Sequence, residues 1–527
     1  MSNISARWDS LREQTLWDPS RKSIYDAITN TAEPVEDSHL PDDSLYQKGQ
    51  DLRFVPGARD ALLRRPEGKS DNPVKDILAL LKTALDHPTA EANKTLYNAL
   101  AATTARDFAP AFCQSLAKLS DQHTLETAEL FRYFARNAPD REVVKIAIAV
   151  IGFLGTAADE DLLSTLGRHN EFTNLASNAL LIKAADPEHS LWALSKQVNG
   201  WGRVHIVEKL AGTKNEAIKH WLVRDGYKNT IMYGYLAGIA VRTGDLIGQL
   251  QTDTPDDALL DGAADVLSAL VYGGPCPDIS EYPEAVAIYE LLLKHNQAQN
   301  VNLKRLSAIA QVTKFLTGPS SKRRPPPKYW SRDQIANGIA DGLKILEKPS
   351  HVERIKTALK TGTEFEANRA NLVAKALDLD LWDITFQRAL KSEDTNLFVL
   401  LDICERHRML QIIAWVEDIA PLSEIATGPT NALFPKHNKR NHEIIDLVVQ
   451  NLRRFPGLGW KILNVALRSP VVRTRNMAIS ALNKWPRADW PEKLETTLQQ
   501  AINEEPNPEV KTRLEALAKQ TMTTGQL

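Results

Sequence analysis

SPVVRTRNMAISALNKW (residues 469–485) and NPEVKTRLEALAKQ (residues 507–520) are two copies of one pattern. Pro470 aligns with Pro508, Val472 with Val510, Arg473 with Lys511, Arg475 with Arg513 and Ala478 with Ala516, each at a shift of 38 residues. That period accommodates one helical hairpin, two helices with their turns. In each copy the proline starts a helix, while the valine and the small alanines let neighbouring helices approach closely. The Arg or Lys is placed to satisfy carbonyl groups or acidic partners along the stack.

Upstream, apolar segments of helical length recur between short Asp, Pro, Gly and Asn breaks. Val74, Ile77, Leu78, Leu81 and Leu85 follow the spacing of an amphipathic helix that Asp86-His-Pro ends. EANKTLYNALAAT, LETAELFRYFARN, REVVKIAIAVIGFLG, DEDLLSTLGRH and FTNLASNALLIKA continue the series from residue 91 to 184. Asp140 and Asp159 are placed as N-caps, Asn137 and Gly167 as C-terminal stops. Alternating Val/Thr-rich segments with hairpin turns are missing, so the fold class is all-α. DREVVKIAIAVIGFLG (Asp140–Gly155) reads as a more divergent copy of the C-terminal pattern. These units resemble the HEAT-repeat family. The resemblance covers residues 73–520 and implies a HEAT-like helical-hairpin solenoid, an α–α superhelix in two arrays.

The breaks suggest the domains. Residues 1–72 read as irregular, with one short helix carrying Trp8, Leu11, Leu16 and Trp17, and an acidic loop from Thr31 to Gly49. A first array spans 73–317. The basic, proline-rich stretch 318–331, with three consecutive prolines, reads as a linker. A second array spans 332–527 and carries a long loop at 427–442.

Composition narrows the function classes. Lys and Arg number 64 against 66 Asp and Glu, so the basic excess of a general nucleic-acid binder is missing, and nucleic acid is an unlikely partner. Three scattered cysteines, Cys113, Cys276 and Cys404, argue against a disulfide framework or a structural zinc site. No signal-type apolar stretch opens the chain, and no uncharged apolar run is long enough to cross a membrane. A cytoplasmic protein is expected.

Motifs for chemistry are sparse. Gly457-Leu-Gly459 lacks the third glycine and the strand of a dinucleotide fingerprint. No phosphate-binding loop, hydrolase elbow or zinc-protease motif occurs, so catalytic residues are unknown and no metal site is expected. His169-x-Glu171 and His351-x-Glu353 are chance-level pairs. His205 and Glu208 share one helix face, as do Cys404 and His407. Lys436 to His442 form a basic loop without interleaved aromatics.

One region concentrates unusual residues: NGWGRVHIVEKL, continuing through IKHWLVRDGYKNTIMYGYLAGIA. It holds Trp201, Arg203, His205, Glu208, Trp221, Arg224, Tyr227, Tyr233 and Tyr235. Gly200 and Gly202 bracket a tryptophan where a helix begins, leaving amides for an anion or polar ligand. The plain reading is a tight inter-repeat turn over an aromatic core. The functional reading makes this the surface for a protein partner or a small apolar ligand. The segment resembles a group of bacterial HEAT-like proteins that includes one described as a limonene hydroxylase. That resemblance implies monoterpene oxidation, limonene to perillyl alcohol or carveol, with NAD(P)H as cofactor and an NAD-dependent dehydrogenation of the alcohol. It transfers no catalytic residue. The leading expectation is a helical-repeat scaffold that binds a protein partner through its concave face.

Overall fold

A computed structural model describes residues 16–31, 34–46, 54–59, 72–297, 300–318, 327–391 and 397–522. Among these residues lie 29 helices and no strand, so the chain is all-α. A single isolated bridge joins Ala432 to Val471. Among the described residues no helix is long and apolar enough to cross a membrane. The expected helix over Trp8 to Trp17 lies mostly outside the described residues. Leu16 is buried, and the Trp17 ring sits 4.8 Å from that of Tyr97.

The patterned segments fold as helices: Asn72–Asp86, Ala90–Ala101, Asp121–Asn137, Arg141–Leu154, Glu160–Gly167 and Asn170–Lys183. Asn137 and Gly167 end their helices as expected. Asp140 and Asp159 stand at N-cap positions, but neither side chain caps its helix. Asp140 instead accepts from Arg21 Nη2 at 2.7 Å and from the Tyr97 hydroxyl at 2.5 Å, and Asp159 accepts from Arg132 Nε at 2.6 Å. Charged donors draw both carboxylates, and Asp159 Oδ2 also accepts from Thr156 N–H at 2.9 Å.

The chain forms two compact units, residues 1–299 with 311–345, and 300–310 with 346–527. The division passes through helix Leu303–Thr317 and after Ile345, whereas the sequence places a linker at 318–331. Residues 319–326 of that stretch lie outside the described residues. The rest of it packs into the first unit. The Lys328 amide donates to Ser280 O at 2.9 Å, and the buried Trp330 ring lies 5.9 Å from that of Tyr289.

In the first unit, helices pair along the chain. Asp121–Asn137 packs on Arg141–Leu154, Glu160–Gly167 on Asn170–Lys183, and Pro187–Ser195 on Trp201–Lys209. The later helix of each pair also packs on its counterpart in the next. One row runs from Ala105–Leu116 through Arg141–Leu154, Asn170–Lys183, Trp201–Lys209 and Gly234–Arg242 to Asp257–Tyr272. Small residues set the spacing. A Cβ on Gly152 would stand 2.9 Å from the Ala179 Cβ, so those two helices touch almost backbone to backbone.

In the second unit the 38-residue pattern is a helix pair. Trp460–Leu467 packs on Val472–Leu482, Leu494–Glu504 on Pro508–Met522, and the two patterned helices pack on each other. Ala478, Ile479, Leu482, Val510, Leu514 and Leu517 belong to one core. The loop expected at 427–442 stops at Asn438, and helix Lys439–Leu452 contains the buried His442. Asn438 takes φ 54°, a left-handed conformation that asparagine tolerates, and this lets the helix begin earlier than the polar sequence suggests.

Arg475 ties this region together. It is fully buried, and its Nε and Nη2 each lie 2.7 Å from a Glu505 carboxylate oxygen. Nη1 donates to Ser469 O and Nη2 to Thr430 O, both at 2.8 Å. The aligned Arg513 is exposed and donates to Asn476 Oδ1. Arg475→Ala strands a buried carboxylate and should destabilise the second unit by about 3–5 kcal/mol. Urea denaturation measures this, and Arg475→Met with Glu505→Leu should recover about half of the loss.

Candidate functional site

Of the residues singled out from sequence between 200 and 235, Trp201, Arg203, His205 and Tyr227 are buried, Glu208 is exposed and the others are half-buried. Trp201, Arg203 and His205 keep 5%, 6% and 7% of their surface, too little for a partner to touch. The amides of the Gly-Trp-Gly turn are not open to an anion. Gly202 N–H donates to Asn170 Oδ1 at 2.8 Å, and Asn170 Nδ2 donates to Asp37 Oδ1 at 2.9 Å. A Cβ on Gly202 would come within 2.5 Å of that same Oδ1. The glycine is there for close approach.

Arg203 is a strut. Its Nε donates to Ser195 O at 3.0 Å and Val198 O at 2.8 Å, and its Nη1 to Lys228 O at 3.3 Å. Burial pushes its pKa down, although Asp225 stands 3.5 Å away and opposes this. Its guanidinium also lies 6.0 Å from the Trp221 ring, which meets Trp192 edge-on at 6.4 Å. Arg224 pairs with Asp256 at 2.8 Å. The Tyr227 hydroxyl donates to Asp265 at 2.7 Å, and Tyr233 packs edge-on against Tyr227 at 5.3 Å. Glu208 is exposed one turn from the buried His205, so the helix presents the two to different surroundings. Arg203 is thus a buried strut, Arg224 belongs to a surface ion pair, and Tyr227 and Tyr233 pair with each other.

Of the minor candidates, His169 and His351 are held internally, while His407 and Glu353 are exposed. His169 Nε2 contacts Ser38 O at 2.9 Å, and its Nδ1 accepts from Glu171 N–H. His351 Nε2 accepts from Val301 N–H at 3.1 Å. All three cysteines are buried, and burial pushes the Cys404 thiol up to about 11. Among the described residues no group of three or more His, Cys, Asp or Glu could hold a metal ion.

A groove lies on the row of helices just upstream. It has a volume of about 470 Å³ and is bounded by Ala105–Leu116, Arg141–Leu154 and Asn170–Lys183. Ala105, Ala109, Ala149, Gly152 and Ala179 leave the space, because side chains this small cannot fill the hollow where three helices meet. Phe153 and Ile182 also line it while remaining 42% and 69% exposed. Arg106, Lys145, Asn174 and Asn178 supply its polar groups. Lys145 pairs with the buried Glu171. Burial alone would raise the Glu171 carboxyl, but the ammonium beside it outweighs burial and holds it below its ordinary value. Beyond Asn174 stands Lys209, whose Nζ donates to Asn174 Oδ1 at 3.2 Å and to His205 O at 3.1 Å.

Sequence reading missed this groove. Helix Ala105–Leu116 carries Pro110 inside, a residue that argues against a helix, and alanines read as core until their neighbours are placed. The legible signal was the pairing of small or polar residues four apart: Ala105 with Ala109 and Asn174 with Asn178. No family model, no curated protein and no solved structure matches the chain.

His205 yields a pH dependence. Burial, helped by the Lys209 charge, pushes its imidazole down to about 4, and its Nε2 is buried without a partner. The folded protein keeps this ring neutral, while the unfolded chain protonates it near pH 6.5. Stability is therefore present above that value and is lost as pH falls from about 6.5 towards 4, by up to about 3 kcal/mol. Chemical denaturation across this range should show the slope, and His205→Phe should flatten it.

Proposed function

We propose that this chain is a helical-repeat scaffold of the HEAT type that binds a protein partner along the face its stacked helices share. The groove over Ala149 and Gly152 carries this reading. Its floor is made of small residues, its rim holds exposed Phe153 and Ile182, and each of its three helices contributes a polar group. A partner's apolar side chain would gain by leaving water there, and the rim residues would complete the contact. The 38-residue helix pairs and the pairwise packing support the repeat reading, since such stacks present continuous surfaces for extended partners.

Two variants test it. Ala149→Trp fills the groove from its floor, and Ile182→Asp changes an exposed rim residue that the fold does not need. A photo-crosslinker at Asn178 would capture the native partner. Each variant should cut capture about ten-fold or more, the scale of one lost anchor. Unchanged capture in both would remove the groove from the binding surface.

The second reading, oxidation of a monoterpene, uses the same space. The groove volume of about 470 Å³ lies in the range of small-molecule pockets, and most of its lining is apolar. Limonene supplied with NAD(P)H and dioxygen should then yield perillyl alcohol or carveol by gas chromatography. Ala149→Trp should abolish the product. Wild-type protein that forms no product would discard this reading and leave the scaffold standing.

A further inference from the structure

We propose that the second unit carries a docking surface of its own, a groove between helices Val472–Leu482 and Pro508–Met522 that takes an acidic segment of a partner protein, with carboxylates pairing to Arg473 and Arg513. The groove has a volume of about 510 Å³ and shares no residue with the one over Ala149 and Gly152. Leu433, Val472 and Met477 give it apolar ground, and Arg473 and Arg513 line it from the two helices. Leu433 remains 45% exposed, so apolar surface is left in water beside the two guanidinium groups.

Charge is balanced over the whole chain but not here. Residues 447–488 contain eight Lys or Arg and no Asp or Glu, so this part of the second unit must find its anions elsewhere. Packing supplies some of them: Arg475 pairs with Glu505 and Lys461 with Glu417. The two arginines of the groove receive none. Among the described residues Arg513 donates only to Asn476 Oδ1, a neutral amide, and it does not pair with Glu509 one turn earlier. Arg473 is exposed and makes no hydrogen bond or ion pair among the described residues. It feels the charge of Asp446, but that carboxylate accepts from Thr474 Oγ1 at 2.6 Å, and burial pushes its pKa up, towards the neutral form.

Arg473 also stands in the first turn of its helix, where the backbone dipole is already positive and an acidic residue is the favourable choice. That turn has no acidic residue and no side-chain cap. An arginine there works against the helix, and a carboxylate brought by a partner relieves it. Charge complementarity therefore selects an acidic occupant over a basic one. The apolar ground selects a peptide over a nucleic acid. Leu433, Val472 and Met477 can bury a Leu or Ile side chain, whereas no aromatic ring among the lining residues offers a base a stacking platform.

A displayed library of random dodecapeptides, selected on the full-length protein and counter-selected on the double variant Arg473→Glu, Arg513→Glu, tests this. Selected peptides should carry Asp or Glu close to Leu, Ile or Met. Changing those acids to Lys should weaken binding to the wild-type protein about ten-fold or more and strengthen binding to the double variant. That reciprocal exchange cannot come from a folding defect, which would weaken both peptides alike. Salt at about 1 M, where the screening length is about 3 Å, should weaken the acidic peptides. Ala149→Trp should bind them as tightly as wild type. Peptides without acid enrichment, peptides without the reciprocal exchange, or no peptide that depends on the two arginines would overturn the proposal. A single-stranded oligonucleotide bound through Arg473 and Arg513 in place of any peptide would also overturn it. Loss of the peptides in Ala149→Trp would assign them to the first unit, overturning this surface while the scaffold reading stands.

Discussion

Every helix ends with carbonyl groups that have no partner in the next turn, and a fold built from many short helices multiplies such ends. In this protein long basic side chains reach back to satisfy them. Arg203 serves Ser195 O, the last carbonyl of helix Pro187–Ser195, along with Val198 O beyond it. Arg388 serves Ala358 O near the end of Pro349–Thr361, and Arg454 serves Leu401 O in Leu397–Asp402. Tryptophan does the same where burial is deeper: Trp485 Nε1 donates to Leu452 O at 2.8 Å. Each such bond joins one helix end to a residue later in the chain, so satisfying the backbone also ties successive segments together. Guanidinium suits the task because its fork offers several donors at once and stays charged when buried.

The opposite ends are treated with carboxylates and amides. Residues 34–46 run over the beginnings of two helices. Asp42 accepts from Arg141 N–H at 2.8 Å and from Arg141 Nη2 at 2.7 Å, and Asn170 N–H donates to Glu36 O at 2.8 Å. The acidic composition of this stretch therefore serves docking: negative groups sit where helix N-termini and Arg141 supply positive potential. Both helices so anchored, Arg141–Leu154 and Asn170–Lys183, form walls of the groove. Rigid anchoring at their first turns lets alanine and glycine stay under-packed further along without collapse of the hollow.

Helix type was legible because an amphipathic period is a local property. Val74 to Leu85 and the repeated pattern at Val472 and Val510 declare their buried faces through spacing alone. The candidate cluster at 200–235 was legible as composition and misleading as to exposure. Trp201, Arg203 and His205 are the residue types of a binding surface, and they are also what a polar turn needs to bury its own carbonyls. Sequence shows which groups are present, not whether another part of the chain has already taken them.

By itself, then, the amino-acid order determined the all-helical class and helix ends such as Asn137 and Gly167, because these depend on residues within one or two turns of each other. The groove and the bond from Lys209 to Asn174 were decided only in three dimensions. Ala109, Ala149 and Ala179 make a hollow because three helices distant along the chain bring them together. Lys209 meets the Asn174 amide because packing placed the two helices side by side. Distances across helices fix both, and no window of sequence contains them.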